Sequence, residues 1–312
     1  MSNHVTGIPH QETWKKLEPV LKGWSSDLKY DVESEDGQRL LLRLSGIEQF
    51  DAKQAEYNRV KVINQLDFAM SRAIDFGICN EGKNTYMLLT WVEGLPLEEC
   101  LLSLPVTEQY QLGIQAGQIL KRIHSIPTPA KNPGWEQQLR TKVLSRVEEY
   151  EGCPYRVTGD ETAIAFVKEN IGRLSHMGEV YRHGDYHIGN LLYTDQGQIG
   201  VIDFNRCDSG DYVEEFYKLQ SFDREWSIPL ARGKIDGYFE GAPPDEFWTR
   251  QALYVAYASL FSIVWAIPFG ASEVEGMIDR CKVAFEDYEH FKRVIPRWYA
   301  EGSEGSEDPY NH

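Results

Sequence analysis

Residues 180–204, VYRHGDYHIGNLLYTDQGQIGVIDF, constrain this chain more than any other stretch. Short apolar runs carry polar residues at fixed places. Val180 and Tyr181 lead into His183-Gly184-Asp185, and Leu191-Leu192-Tyr193 follows Asn190 directly. Asp195-Gln196-Gly197 is turn chemistry, and residues 199–202 form a second apolar run ending on Asp203-Phe204. Two apolar runs joined by a Gly-containing turn predict a β-hairpin. Asp185 then stands just before the hairpin, Asn190 where it begins and Asp203 where it ends.

That order has a chemical meaning. Phosphoryl transfer needs a carboxylate to accept the substrate hydroxyl proton, and Mg²⁺ ligands that bridge and neutralise the phosphates. Asp185 is placed for the first role, Asn190 and Asp203 for the second. Magnesium prefers octahedral oxygen donors and is usually held by one or two carboxylates plus substrate phosphates. The spacing His183-Gly184-Asp185, four residues, Asn190, and then Ile202-Asp203-Phe204, follows the catalytic-loop and D-F-G pattern of kinases. Two other readings use the same residues. His183, Asp185 and His187 alternate, so on an extended strand they share one face, as transition-metal ligands often do. Gly184 and Gly189 interrupt such a strand, and no second His/Asp cluster completes a site. In the other reading, Asp185 and Asn190 satisfy loop backbone while the histidines pack.

HGDYHIGN followed by VIDF resembles the aminoglycoside phosphotransferase family, kinase-like small-molecule phosphotransferases whose signature blocks are HGDxHxGN and IDF or IDW. The resemblance covers roughly residues 25–288. It implies a bilobal, protein-kinase-like α+β fold, with a small antiparallel β-sheet lobe over residues 1–92 and a larger, mainly helical lobe over 93–312. It also implies ATP and Mg²⁺ as cofactors and a small-molecule hydroxyl as acceptor. The lead acceptor is an aminoglycoside or related cationic antibiotic. A metabolite kinase of the choline, homoserine, methylthioribose or amino-sugar type is the alternative. A nucleotide-binding regulator without transfer activity is a third reading, against which the complete set Asp185, Asn190 and Asp203 argues.

The resemblance distributes further roles. The first hairpin covers the ATP phosphates, with Ser25 and Ser26 at its tip and no G-x-G-x-x-G. Arg43, in the strand LLLRL, stands where the family usually has a phosphate-pairing Lys. Glu56, on a helix predicted over residues 51–66, is its expected partner, as in the strand-Lys to helix-Glu pair of kinases. Arg grips carboxylate and phosphate in a bidentate way, so the replacement alters geometry more than function. The Thr90 carbonyl and Val92 N–H are expected to bind the adenine edge. His183 and His187 support the catalytic loop. Residues 208–216, DSGDYVEEF, resemble the family's G-D-P-x-x-D-L segment, with Tyr212 and Glu215 departing from its Pro and second Asp. Asp211 is expected to cap a helix or brace the catalytic loop, and Glu215 to take over the role of the missing Asp.

Length and composition bound the rest. A chain of 312 residues with 42% hydrophobic content suits two lobes. No apolar run is expected to approach the ~18 residues of a membrane span, and MSNHVTGIPHQETW lacks the regions of a signal peptide. Five scattered cysteines fit reduced thiols in a cytoplasm better than a disulfide framework. A formal net charge of −16 repels nucleic-acid backbones and draws in a cationic acceptor. Asp208, Glu214 and Glu215 are the candidate acceptor-binding carboxylates.

Apolar periodicity predicts a helix over residues 1–22, with Trp14, Leu17, Val20 and Leu21 on one side, then strands over 24–33, 39–44, 73–78 and 85–92. Helices follow from Thr107, around 164–174, and over 245–266 and 272–293.

Overall fold

The computed structural model describes residues 5–21, 27–128 and 133–301. In chain order its strands are β1 (Trp14–Pro19), β2 (Leu28–Ser34), β3 (Arg39–Gly46), β4 (Ala69–Met70), β5 (Ala73–Cys79) and β6 (Asn84–Thr90). They continue with β7 (Leu95–Pro96), β8 (Val180–Arg182), β9 (Leu191–Tyr193), β10 (Ile199–Val201) and β11 (Asp208–Gly210). Its helices are α1 (Phe50–Ile63), α2 (Leu97–Cys100), α3 (Val106–His124), α4 (Trp135–Glu151) and α5 (Asp160–Asn170). Then come α6 (Arg224–Trp226), α7 (Ile228–Phe239), α8 (Asp245–Ala266), α9 (Ala271–Asp287) and α10 (Arg297–Ala300). The chain divides into two compact units, Met1–Leu97 with Asn190–Cys207, and Glu98–Gly189 with Asp208–His312.

The first unit is built on an antiparallel sheet in the order β1-β2-β3-β6-β5. Strand side chains alternate between faces, and the sequence uses that alternation. Leu40, Leu42 and Leu44 of β3 join Tyr30, Val32, Tyr86 and Leu88 in one buried cluster, closed by Val5 and Ile8. Arg43 lies on the other face, where α1 buries Glu56, Val60 and Ile63. The predicted hairpin is present: β9 and β10 pair antiparallel through Tyr193–Ile199 and Leu191–Val201. It belongs to the first unit, where β10 pairs parallel with β4 and β9 pairs with β7. A single cut between residues 92 and 93 therefore misplaces the hairpin, because strand pairing outweighs chain order.

The N-terminal segment departs from the expected helix. Residues 14–19 form β1, paired antiparallel with β2. A register shift between Trp14 and Lys16 inserts one extra residue, as a bulge does. Trp14 and Leu17, three residues apart, then both pack on the core cluster, which is the spacing that a helix would give.

In the second unit, α3 and α7 approach closely through two glycine pairs. An added Cβ at Gly113 or Gly117 would meet the Leu230 or Lys234 carbonyl oxygen at 2.4 and 2.2 Å. At Gly233 or Gly237 it would meet the Tyr110 or Ile114 carbonyl oxygen at 2.3 and 2.2 Å. Residues 245–269 form a helical stretch that is, by length and composition, long and apolar enough to cross a membrane. The stretch overturns the expectation that no apolar run approaches the length of a membrane span, since its residues 252–269 carry no charged side chain. Of its most apolar window, 56% is buried within the protein, as in a core helix, and α8 packs on α4, α5 and α9.

Candidate active site

Strand β8 pairs with β11 and delivers the chain into residues 183–189 of the second unit. Gly184 adopts φ +80°, a left-handed conformation open to glycine at little cost. Its N–H donates to Glu215 Oε1 at 2.6 Å, and its carbonyl accepts from Lys218 Nζ at 2.8 Å. The same Lys218 ammonium bonds Asp185 Oδ1. Further along, the Ile188 N–H donates to Asp223 Oδ1 at 2.7 Å, and Asp223 Oδ2 accepts from the buried Lys234 at 2.6 Å. Glu215, Lys218 and Asp223 thus hold the loop at three backbone groups.

The histidines of the motif are structural supports for this loop. His183 is fully buried, accepts the Asp185 N–H on Nδ1 at 3.2 Å and meets Tyr186 edge-on. His187 accepts the Gly189 N–H on Nδ1 at 3.2 Å, so its neutral form carries the proton on Nε2. That nitrogen lies 3.6 Å from Asp185 Oδ1, and the ring stacks on Phe222. Burial pushes the Asp185 carboxyl up, but the His187 contact and the Lys218 charge and hydrogen bond outweigh it and hold it well below the usual carboxylate range. Asp185 is therefore ionised at neutral pH.

Asn190 and Asp203 lie in the first unit, at the start and end of the hairpin. The Asn190 carbonyl accepts the Ile202 N–H at 3.1 Å, tying the two ends together. Asp203 takes φ +66° and ψ +61°, a left-handed conformation that non-glycine residues adopt rarely and often at functional positions. One carboxylate and one amide across a single hairpin are hard oxygen donors, which suits Mg²⁺. Among the described residues no group of three or more His, Cys, Asp or Glu could hold a metal ion, so the transition-metal reading of His183, Asp185 and His187 finds no ligand cluster.

Arg43 joins a four-membered ion network in the same unit. Its Nη1 donates to Glu56 Oε1 and its Nη2 to Asp27 Oδ2, each at 2.5 Å. Lys53, one turn before Glu56 on α1, reaches Asp27 at 2.7 Å and Glu56 at 3.2 Å. Asp203 adds to the field that raises the Arg43 pKa.

A family model described as the phosphotransferase enzyme family, APH, matches residues 16–250. This chain belongs to the phosphotransferase enzyme family. No curated protein matches the sequence. Among solved structures, the chain is similar to aminoglycoside 2'-phosphotransferase-IIIa in its GDP complex, with a TM-score of 0.66 and 13% identity, covering 88% of this chain and 93% of that one. A thermostable mutant of aminoglycoside phosphotransferase APH(4)-Ia, in a ternary complex with ADP and hygromycin B, gives a TM-score of 0.63 at 16% identity, over 88% and 94% of the two chains. Aminoglycoside phosphotransferase APH(3'')-Id from Streptomyces rimosus, with ADP and streptomycin, gives 0.52 at 21%, over 78% and 92%. The fold is accordingly the kinase-like α+β fold, with an antiparallel N-terminal sheet and a mostly helical remainder.

The other residues expected at the site of this phosphotransferase take varied places. Ser25 and Ser26 lie outside the described residues. Thr90 ends β6, its Oγ1 accepting the Arg72 N–H at 2.8 Å, and Val92 follows in the connecting loop. Asp211 is fully buried, capping the turn at Val213 and paired with Arg250 at 2.8 Å and Tyr254 at 2.9 Å. Glu215, expected either at the acceptor or in the place of the family's second Asp, accepts the Gly184 N–H and braces the loop of Asp185. Asp208 and Glu214 both pair with Arg182, and Glu214 also lies 3.6 Å from Lys142. Sequence reasoning alone misses Asp27, Lys53, Lys218, Asp223 and Lys234. Lys218 had a signal, standing three residues after Glu215 on a helical turn.

A groove of about 610 Å³ opens in the second unit beside β8, lined by Trp135, Gln138, Lys142, Glu179 and Arg182 among others. Its volume falls within the range of small-molecule sites. Glu179 Oε2 is buried there without a hydrogen-bond partner among the described residues.

Proposed function

We propose that this phosphotransferase moves the γ-phosphate of ATP to a hydroxyl of a small molecule, with Asp185 as the base. The observation that carries the reading is the placing of Asp185: its carboxylate accepts from Lys218, and its loop is pinned through the Gly184 N–H, the Gly184 carbonyl and the Ile188 N–H. The acceptor hydroxyl gives its proton to Asp185, its oxygen forms a bond to the γ-phosphorus, and the bond to the bridging oxygen breaks to release ADP. A strongly acidic aspartate suits this step, because the transition state is loose and positioning outweighs proton abstraction. Asn190 and Asp203 are the Mg²⁺ ligands in this reading. When bound, Mg²⁺ neutralises charge on the transferring phosphates. Arg43, positioned by Glu56 and Asp27, contacts the phosphates, and Thr90 and Val92 bind the adenine edge. Ser25 and Ser26 cover the phosphates.

The acceptor reading is narrowed by the ion pairs. Asp208 and Glu214 share Arg182, and Glu214 also lies 3.6 Å from Lys142, so two of the carboxylates expected to attract a polycation are largely compensated. An acceptor with one amine, or a neutral metabolite, fits the groove better than a polyamine. ATP consumption measured with amino sugars, amino alcohols, aminoglycosides and macrolides, against an acceptor-free control, tests the function. Asp185→Asn is expected to lower kcat by orders of magnitude with ATP affinity retained, and near-normal kcat would remove Asp185 from this role. Asp203→Ala is expected to abolish turnover and to weaken nucleotide binding only when Mg²⁺ is present.

A further inference from the structure

We propose that Lys218 is the positioning residue of Asp185: its buried ammonium fixes Oδ1 and keeps the carboxylate charged, ready to take the acceptor proton. The inference rests on Asp185 being the base. Lys218 is 3% exposed and bridges the Gly184 carbonyl and the Asp185 carboxylate. A buried ammonium costs several kcal/mol unless it is paired with good geometry, and this one has a carboxylate and a carbonyl on adjacent residues. Oδ1 also receives the His187 Nε2 contact at 3.6 Å, so lysine and histidine meet the base at the same oxygen.

The backbone that carries Lys218 is itself unusual. Residues Leu219–Asp223 form a π-helical turn, a rare geometry with i→i+5 bonds that recurs at functional sites. Lys218 and Asp223 are five residues apart. In an α-helix such a pair faces different directions, whereas an i→i+5 turn brings the two onto one side. Here both reach the catalytic loop, Lys218 at Gly184 and Asp185, Asp223 at Ile188. The wide turn is thus the device that lets one segment grip the loop on both flanks of the base.

Electrostatics gives the grip a purpose. Phosphoryl transfer brings an anionic group toward an anionic base, and like charges a few ångströms apart in a dry site repel by several kcal/mol. The Lys218 charge offsets that of Asp185 before the phosphate arrives. The other charged groups around the pair are His187 on the loop, Glu215 one turn earlier, the Asp223–Lys234 pair, and Arg182, which acts on Glu215. Of these, His187 faces the Asp185 carboxylate from the loop itself at 3.6 Å, whereas Lys218 reaches the same oxygen in direct hydrogen bond from the π-helical segment.

The test compares wild type, Lys218→Met, Lys218→Arg and Asp185→Asn, each carrying ¹³C-carboxyl aspartate. Carboxyl resonances are followed by NMR from about pH 4.5 to about pH 8, and the Asp185 signal is the one absent from Asp185→Asn. The wild-type and Lys218→Arg signals are expected to stay flat over this window, and the Lys218→Met signal to titrate within it. Binding of ADP with Mg²⁺ is expected to stay within about twofold in all variants, separating loss of positioning from general damage. A flat Asp185 signal in Lys218→Met overturns the proposal, as does titration in Lys218→Arg. Should Lys218→Met fail to fold, Lys218→Gln, which keeps a donor and loses the charge, is read in its place. Transfer that persists in Asp185→Asn sinks the base reading itself; a flat signal in Lys218→Met sinks only the role of Lys218.

Discussion

Arg43 on β3 and Glu56 on α1 form a buried ion pair, with side-chain exposures of 7% and 6%. The guanidinium is shared with Asp27, and Lys53 bridges both carboxylates, so two cations and two anions balance in one enclosed site. Breaking one member of a buried pair costs about 3–5 kcal/mol, because the partner is left uncompensated. Arg43→Ala is therefore expected to raise KM for ATP at least about tenfold and to lower the unfolding free energy. Arg43→Lys keeps the charge and retains much of the activity. Equal and small effects of the two changes would show that Arg43 does not engage the nucleotide.

Asp27 makes the same network sensitive to acid. Burial pushes its carboxyl up, but Lys53, Arg43 and Ser45 outweigh this and bring it from 3.8 down to about 2. A folded-state value below the unfolded one stabilises the protein above pH 4, and this contribution is lost as pH falls from about 4 to about 2. A tenfold change in proton affinity is worth about 1.4 kcal/mol, so the loss from Asp27 is on the order of 2 kcal/mol. Urea unfolding across this range is expected to show that decline, and Asp27→Asn to show a shallower one from a lower starting stability. An unchanged slope in Asp27→Asn would place the acid sensitivity elsewhere.

The glycine contacts between α3 and α7 leave no room for a methyl group. At Gly117 a Cβ would stand 2.2 Å from the Lys234 carbonyl oxygen, which is backbone and cannot swing aside. Overpacking typically costs about 1–3 kcal/mol, and Gly117→Ala is expected at or above the top of that range in denaturant unfolding. Because α7 also carries Lys234, the partner of Asp223 beneath the catalytic loop, turnover is expected to fall further than stability explains. Gly276→Ala, where an added Cβ meets nothing within 4 Å, is the control and is expected to be neutral or slightly stabilising.

What the sequence disclosed followed from how local each signal was. The hairpin, with Asn190 and Asp203 at its two ends, was legible because turn chemistry and alternation act over a few residues. Arg43 and Glu56 were legible only through the kinase-like pattern, since 13 residues separate them. Asp27 and Lys53 gave no sign, because their meaning lies in a network assembled from β3, α1 and the residue before β2. β1 was misread because a bulge imitates helical spacing. The hairpin's unit was misread because a parallel pairing with the two residues of β4 decides it. Asp208 and Glu214 looked like free carboxylates in the composition, and only the fold shows Arg182 between them.

That last point alters what the acceptor site is expected to prefer. In the groove beside β8, Asp208 and Glu214 are held by Arg182; burial pushes the Glu214 carboxyl up, but Arg182 and Lys142 outweigh it and leave the pKa lowered. Glu179 differs, with one buried oxygen that has no hydrogen-bond partner among the described residues, and it lines the groove together with Trp135. An unpaired buried acceptor is costly, and a hydrogen bond to a charged group is worth about 1.5–3 kcal/mol. Glucosamine and N-acetylglucosamine present the same ring with and without an ammonium group, so they isolate this contact. Under the kinase reading, glucosamine is expected to bind more tightly than its neutral analogue, and Glu179→Gln to remove about tenfold or more of that advantage while KM for ATP is unchanged. The preference is expected to weaken only modestly with salt, because a single partly buried carboxylate is screened less than a field of exposed ones. Equal binding of the two sugars by wild type, or a preference that survives in Glu179→Gln, would take the amine away from Glu179 and point to a neutral acceptor.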